Sequence, residues 1–594
     1  MTIQLQAIQT ILKTKNLKLK TKKDMKLLKS IILCGLGAAV ISLSSCDDML
    51  TKSERTKFEL GPEFWSNANQ VASYSNVLYE NYTGYGTGGG AGWFYFKSLS
   101  DDQVNPSFDN WMFTTVPGTS TYWSTPYTEI RRCNYMLTGL QSSTLAEGEK
   151  SYYVAVGRLN RAWQYYQLVR MYGDVNMLDE VILDPEAQSD VVYGPRTDRD
   201  VVMDFVLEDL NYAVQNLGAG GKNSWSKDMA LAMKSDICLF EGTYCKYRTV
   251  EDNGKAADAT RAQKFLNECV DASQQLMNSG KYSLTANYGE VYNSLDLSKS
   301  SEVIFFRNYV KDQLMHSTAD YTASSSQQRG ISKDAVDAFL FLDGKPLATT
   351  AYNTDDHPVL DPTNNAYSIQ GMLANRDKRL SVLLDPYLCF KGHGWVRSNS
   401  MLMTSSTGYN IAKYDNTAME VDYRINTGKN YTDAPIYWLA VIYLNYAEAK
   451  AELGTINQTD LDASVNKLQA RAGLPAMSLT PAADPANNMG VSDLLWEIRR
   501  TRRCELMADN WYRYWDLVRW HKLDLLDSQA HPNINRGAFL AGVADLDETF
   551  NLDADGYVIP VSTLRTFDKK YYLCPIPSNQ ITLSKGATSQ NPGW

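Results

Sequence analysis

The spacing of apolar residues between Tyr127 and Asn278 constrains the fold of this chain more than any other feature. From Glu149 to Tyr172, Ala155, Leu159, Ala162, Tyr166 and Val169 recur at intervals of four, three, four and three. That is the repeat of one helix face buried against a neighbour. Gly173 follows, and glycine readily ends a helix. A second helix is expected from about Thr197, with Val201, Phe205, Leu210 and Leu217 apolar and Gly218 to Gly221 closing it. A third is expected over Lys227 to Tyr247, and a fourth over Thr260 to Asn278 before Gly280. Periodicity alone supports an all-helical array here.

The amino terminus limits where such an array can work. An apolar run from Ile31 to Ile41 follows Lys26 and Lys29 and ends at Leu43-Ser44-Ser45-Cys46. A basic start, a short apolar core and a small-residue cleavage site make an export signal. The run falls short of the roughly 20 apolar residues that span a bilayer. Leu-Ser-Ser-Cys resembles a bacterial lipobox, which implies that Cys46 is the lipidated first residue of the mature protein. An ordinary secretory signal with a chance cysteine is the alternative. Residues 1–45 are then signal, with Met1 or Met25 as the start, and residues 46–60 are the lipidated cysteine and a polar tether. Asp47 and Asp48 resemble the surface-export signal of Bacteroidota lipoproteins.

Charge narrows the partners. The whole chain carries a formal net charge of -9, and residues 1–45 hold eight lysines and one aspartate. The remainder is therefore more acidic still, which disfavours nucleic acid and anionic lipid and suits neutral partners. Cys34 leaves with the signal, and seven of the nine cysteines remain beyond Cys46 without a disulfide framework. They read as buried thiols. The five histidines show no paired metal spacing, so no metal or other cofactor is expected.

Pro62 to Tyr79 reads as a first helix. Tyr82 to Trp123 is irregular, with glycine at 84, 86 and 88–90 and with eleven aromatic residues. A loop of this length is uncommon without a function. Later, Glu302 to Phe306 reads as a buried strand. Lys333 to Phe341, Gly371 to Leu384, Pro435 to Leu453, Leu461 to Arg471 and Val491 to Ala508 read as helices. Asn551 to Gly556 resembles the start of a calcium loop, but Ser562 stands where glutamate is required, so Asp555-Gly556 is expected to be a hairpin turn.

Sugars present apolar faces and hydroxyl rims. Flat aromatic rings bury the faces, while carboxylates and amides bond the rims. Tyr85, Trp93 and Trp111 are candidate platforms, with Asp101, Asp102, Asn105 and Asn110 as polar partners. Tyr309, His316, Tyr321 and Trp395 come from other irregular stretches and complete the set. The competing reading packs these rings inward, and Trp123 is assigned to the core. Asp101 and Asp102 fit a structural turn equally well.

The C-terminal half resembles a known family. Ile498-Arg499-Arg500-Thr501-Arg502-Arg503-Cys504-Glu505-Leu506, then Tyr514-Trp515-Asp516-Leu517-Val518-Arg519-Trp520, is similar to the signature of SusD/RagB lipoproteins. So are Pro435-Ile436 with Asn445 to Ala449, Arg376 to Leu380, Gly408-Tyr409, Pro575-Ile576-Pro577 and Gln590 to Gly593. Arg161-Ala162-Trp163 through Tyr172-Gly173-Asp174 extends the likeness into the N-terminal half. Thr501 stands where the family usually has Glu, and Asp509-Asn510 replaces a common Glu-Gly. The resemblance implies a mostly α fold. Tetratricopeptide-like helices would carry an irregular, loop-rich ligand face with a few short strands. N-terminal (61–330) and C-terminal (331–594) regions would pack as one composite unit. It implies a non-catalytic lipoprotein on the outer-membrane surface that binds oligosaccharide and passes it to a SusC-like TonB-dependent transporter. A peptide-binding scaffold and a glycoside-degrading enzyme are the alternatives.

In the signature helix, Glu497 can reach Arg500 and Arg502 can reach Glu505 at helical spacing. Arg499 and Arg503 have no acid at that spacing and are expected to pair with other helices, or to form an anion site.

Overall fold

The computed structural model describes residues 60–92, 99–182, 188–323, 329–390, 395–397, 401–543 and 550–594. The signal, Cys46 and Trp93 lie outside these residues. Helix dominates, and five long helices come first: α1 (Thr121–Gln141), α2 (Glu147–Tyr172), α3 (Arg199–Asn216), α4 (Lys227–Tyr247) and α5 (Ala259–Asn278). Each packs on the next. The five apolar residues of α2 are all buried, but so is nearly everything from Ala155 to Tyr172, because α1 and α3 both pack against this helix. Arg161 of α2 reaches Asp209 of α3 with two parallel bonds of 2.8 and 2.9 Å. Gly173 ends α2 at φ 72°.

The buried stripe of α3 differs from expectation. Val202, Val206, Leu210 and Ala213 face inward, while Val201 is half exposed. Asp198 caps the helix, and packing against α2 and α4 selects the buried face. Helix α4 is enclosed along almost its whole length, between α3, α5 and the C-terminal half. Gly242 permits the closest approach, since a Cβ there would meet Leu266 of α5 at 2.7 Å.

The C-terminal half adds α6 (Leu439–Glu452), α7 (Asp493–Glu505) and α8 (Asn510–Arg519). Helix α6 packs on α4, α5 and α7. It starts four residues later than the sequence implied. Pro435 to Trp438 belongs to a strand, Ala434–Trp438, that pairs antiparallel with Val303–Arg307. Proline followed by β-branched and aromatic residues favours extended backbone, and the partner strand supplies the pairing. Three more expected helices are broken, and the 371–384 stretch divides into Gln370–Ala374 and Lys378–Leu383, the latter capped by Asp377. Pro62 to Tyr79 splits at Asn67, whose side chain caps Ala68–Asn76. The 461–471 stretch splits at Ser464, between Gln458–Ala463 and Val465–Ala472. All seven cysteines beyond Cys46 are free and buried. Pro62–Trp594 clusters as one unit.

Candidate functional site

The glycine-rich stretch closes as a short hairpin. Strands β1 (Gly86–Thr87) and β2 (Gly90–Ala91) pair, with Gly88 at φ 56° in the turn. Three enclosed rings, Tyr85, Tyr309 and His316, form an aromatic staple that holds it from below. Tyr309 donates its hydroxyl to the Gly86 carbonyl at 2.7 Å, and Tyr85 donates to the Tyr292 carbonyl at 2.6 Å. His316 packs edge-on against Tyr309 at 4.6 Å and lies 5.0 Å from Tyr85. Its Nε2 donates to the Thr432 carbonyl at 2.9 Å, and its Nδ1 accepts from the Thr318 amide at 3.2 Å. Burial pushes this imidazole down to about 3, so it is neutral at physiological pH.

Above the staple, three stretches converge. The Gly88 amide donates to the Met315 carbonyl, Ser317 donates to the Gly88 carbonyl, and the Gly428 amide donates to the Ser317 hydroxyl, all at 2.6–2.7 Å. Tyr321 reaches the Gly89 carbonyl at 2.7 Å. The short helix Val421–Ile425 presents Tyr423, whose ring meets Tyr431 edge-on at 5.6 Å. Tyr321, Tyr423 and Tyr431 are all partly exposed. Charged groups rim them. Tyr423 donates to Asp312 at 2.9 Å, Tyr431 donates to Glu420 at 2.9 Å, and Lys311 bridges Glu420 and the Tyr423 ring. The face is thus a set of half-open rings with carboxylate and ammonium groups already oriented beside them.

The other candidates are distributed. Tyr85 and Tyr309 are enclosed, so their rings lie inside the staple rather than at the surface. Trp111 is buried too: it stacks on Tyr571 at 4.3 Å and donates to the Thr566 carbonyl. Asn110 is exposed, with its side-chain oxygen on the Trp111 amide, and Asn105 bonds Asp109. Trp395 is partly exposed beside Tyr387 and Met403. It precedes a hairpin, Val396–Arg397 with Met401–Leu402, which packs on the 421–425 helix. Arg397 and Arg424 share Asp415 at 2.6 Å each. Trp123 is in the core, edge-on to Tyr172. Tyr423 and Tyr431 escaped the sequence reading because they stand in a short charged stretch with no helical or alternating period.

Asp101 and Asp102 are buried and paired with arginines. Arg513 grips Asp101 with two bonds of 2.6 and 2.7 Å, and Arg503 bonds Asp102 at 2.8 Å. Burial alone would raise the Asp101 carboxyl, but Arg503 and Arg513 hold it below the usual carboxylate range. The remaining signature arginines are paired as well. Arg499 bonds Glu452 of α6 at 2.8 Å, and Arg500 contacts Glu497 and Asp484. Arg502 departs from expectation: it bonds Asp516 of α8 and Asn445 of α6, both at 2.8 Å, instead of Glu505. Glu505 is taken by Arg379 and Arg471. Where carboxylates cluster among the described residues, protein cations already meet them. Arg199 and Arg248 serve Glu241 and Asp200, and Arg536 clamps Asp553 and Asp555 in the 551–556 turn at 2.6 Å each.

Comparison with known proteins agrees with this architecture. A family model described as SusD family matches residues 301–594. A second, described as starch-binding associating with outer membrane, matches residues 60–237. The chain belongs to the SusD family. A SusD-like protein from Bacteroides ovatus is 29% identical over 117 residues, 18% of this chain and only 21% of that relative. SusD-like protein P38 from Formosa agariphila is 23% identical over 416 residues, 67% of this chain and 72% of the relative. A solved SusD-like carbohydrate binding protein from Bacteroides fragilis superposes with TM-score 0.65 at 21% identity, over 88% of this chain and 99% of that one. A laminarin binding SusD-like protein superposes with TM-score 0.53 at 21% identity, over 89% and 100%. At these identities the likeness shows the fold.

Two departures from the SusD-family signature are accommodated locally. The Thr501 hydroxyl donates to the Glu497 carbonyl at 2.9 Å and accepts from Gln469 at 3.3 Å. Ahead of Asp509-Asn510, Ala508 takes φ 64°, the left-handed conformation usually left to glycine. Its carbonyl is fixed by Tyr414 at 3.2 Å and Gln103 at 3.4 Å.

Proposed function

We propose that this protein is a surface glycan-binding lipoprotein. It captures oligosaccharide on the face bearing Tyr321, Tyr423 and Tyr431, with Trp395 on the adjoining hairpin, and delivers it to a SusC-like TonB-dependent transporter. The observation that carries this reading is the pairing of half-open aromatic rings with preset polar rims on a rigid support. Rings bury sugar C–H faces, and carboxylates and ammonium groups bond hydroxyls. SusD-family membership, and the carbohydrate and laminarin binding named for two structural neighbours, support the ligand class. The family description of outer-membrane association supports the location. The role is binding without catalysis. Anchoring through Cys46 would keep weak contacts effective by holding the face beside the barrel.

The test is titration with a panel of neutral oligosaccharides. Tyr423→Ala and Tyr431→Ala should each weaken binding about tenfold, equal to about 1.4 kcal/mol, without lowering the melting temperature by more than a few degrees. A panel without binding, or tight peptide binding instead, would refute the assignment. Cys46→Ala should move the protein from the membrane fraction to a soluble one.

A further inference from the structure

A cavity of about 330 Å³ opens beside α7, away from the aromatic staple. Trp496, Arg500 and Arg503 of α7 form one wall. Asp334 and Asp337 of the short helix Lys333–Ala338 form another, and Leu347 and Met489 come from two loops. Ala348, Asn488 and Asn533 at its edge are exposed, so it communicates with solvent.

The lining is charged yet internally neutralised. Four arginines and four aspartates contribute to it. Three pairs form within the lining, Arg503 with Asp334 at 2.8 Å, Arg513 with Asp101 at 2.6 Å, and Arg500 with Asp484, while Arg499 is held by Glu452 at 2.8 Å. Asp337 is held by Lys333 at 2.6 Å. An ionic ligand would have to separate one of these pairs, of which Arg513–Asp101 and Arg500–Asp484 are buried, and that is costly. An uncharged ligand carrying hydroxyls need not, because a carboxylate accepts at about four lone-pair sites and a guanidinium offers five N–H groups. Trp496 adds a flat, partly exposed wall. Its indole nitrogen is fixed on Asp484 at 3.1 Å, and the Arg500 guanidinium lies 5.4 Å from the ring. The volume sits at the lower end of ligand pockets, which start at about 300 Å³. That leaves room for one or two sugar rings and not for a long chain.

We infer that this cavity is a second, separate binding site, for a neutral mono- or disaccharide stacked on Trp496 with its hydroxyls on Asp334, Asp337 and Arg503. It shares no residue with the loop face, so either site can fail without the other.

Calorimetric titration of the full chain with neutral mono- and disaccharides, a uronic acid and a dipeptide tests it. A neutral sugar should bind in the millimolar range. Leu347→Trp, which fills the cavity from an outer loop, and Trp496→Ala should each weaken that binding at least about tenfold. Tyr423→Ala and Tyr431→Ala should leave it unchanged. Thermal melts would show whether each variant is folded, and Leu347→Trp alone suffices if Trp496→Ala is not. The inference is overturned if no neutral sugar binds, if binding survives Leu347→Trp, or if the uronic acid or dipeptide binds more tightly.

Discussion

His316 shows how one enclosed residue can support a surface hairpin that it does not itself reach. It is fully enclosed, and its ring nitrogens are committed to the Thr432 carbonyl and the Thr318 amide, in two separate segments beneath the β1–β2 hairpin. Burial lowers its folded pKa to about 3, against about 6.5 in an unfolded chain. Below pH 6.5 the unfolded chain therefore takes up a proton that the folded one refuses. Stability from this group is present above that pH and drains away on acidification, at about 1.4 kcal/mol per pH unit until about pH 3. Between pH 7.5 and 5.0 the native protein should lose about 2 kcal/mol more than His316→Gln in denaturant titrations. Equal losses in the two proteins would remove His316 from the account. Hydrogen exchange at residues 85–92 should accelerate in the native protein over the same range.

At the level of elements, α6, α7 and α8 are joined by charges as much as by apolar surface. Arg519 of α8 makes two bonds to Glu448 of α6, at 2.6 and 2.7 Å, and also holds Asp516. All three side chains are buried. Removing Arg519 strands a carboxylate in the interior, which costs about 3–5 kcal/mol, while replacing the pair together costs less. Arg519→Ala should accordingly lower the melting temperature sharply, and Arg519→Met with Glu448→Gln should recover part of the loss. Absence of any recovery would mean that packing around Arg519, and not its charge, holds the junction. These pairings mark the limit of what local sequence shows. Helix α4 was legible to the residue, because its apolar content and its caps are local properties. The 434–438 strand was not, since its pairing partner lies more than a hundred residues away. The same holds for the site. Composition picked out the aromatic loop, yet which rings turn outward depends on Thr432, Ser317 and Gly428, which share no pattern with it. Sequence expected Tyr85 and Tyr309 among open rings, whereas both are buried with their hydroxyls on backbone carbonyls inside the fold.

Across the whole molecule, the C-terminal segment closes back on the N-terminal half. The Cys574 amide donates to the Met171 carbonyl at 2.7 Å, at the end of α2. Asn591 donates to the carbonyls of Tyr172 and Cys574 at 3.0 and 2.7 Å and accepts from Arg196 at 2.8 Å. Arg565 reaches the Asp109 carbonyl, and Trp111 reaches that of Thr566. In the other direction, α4 and α5 bury themselves against α6, and strand Val303–Arg307 has its only ladder with Ala434–Trp438 among the described residues. We propose that neither half covers its own apolar surface and that the boundary near residue 330 separates sequence regions that do not fold independently. Residues 62–330 produced alone should aggregate or expose apolar surface to a dye, and a broad, uncooperative melt is expected. Asn591→Ala in the full chain removes a donor from two carbonyls, of which that of Tyr172 keeps only a 3.5 Å contact with Arg196, and should cost about 1–3 kcal/mol. A sharp, reversible melt of the 62–330 fragment would show instead that the C-terminal half merely decorates a self-sufficient helical array.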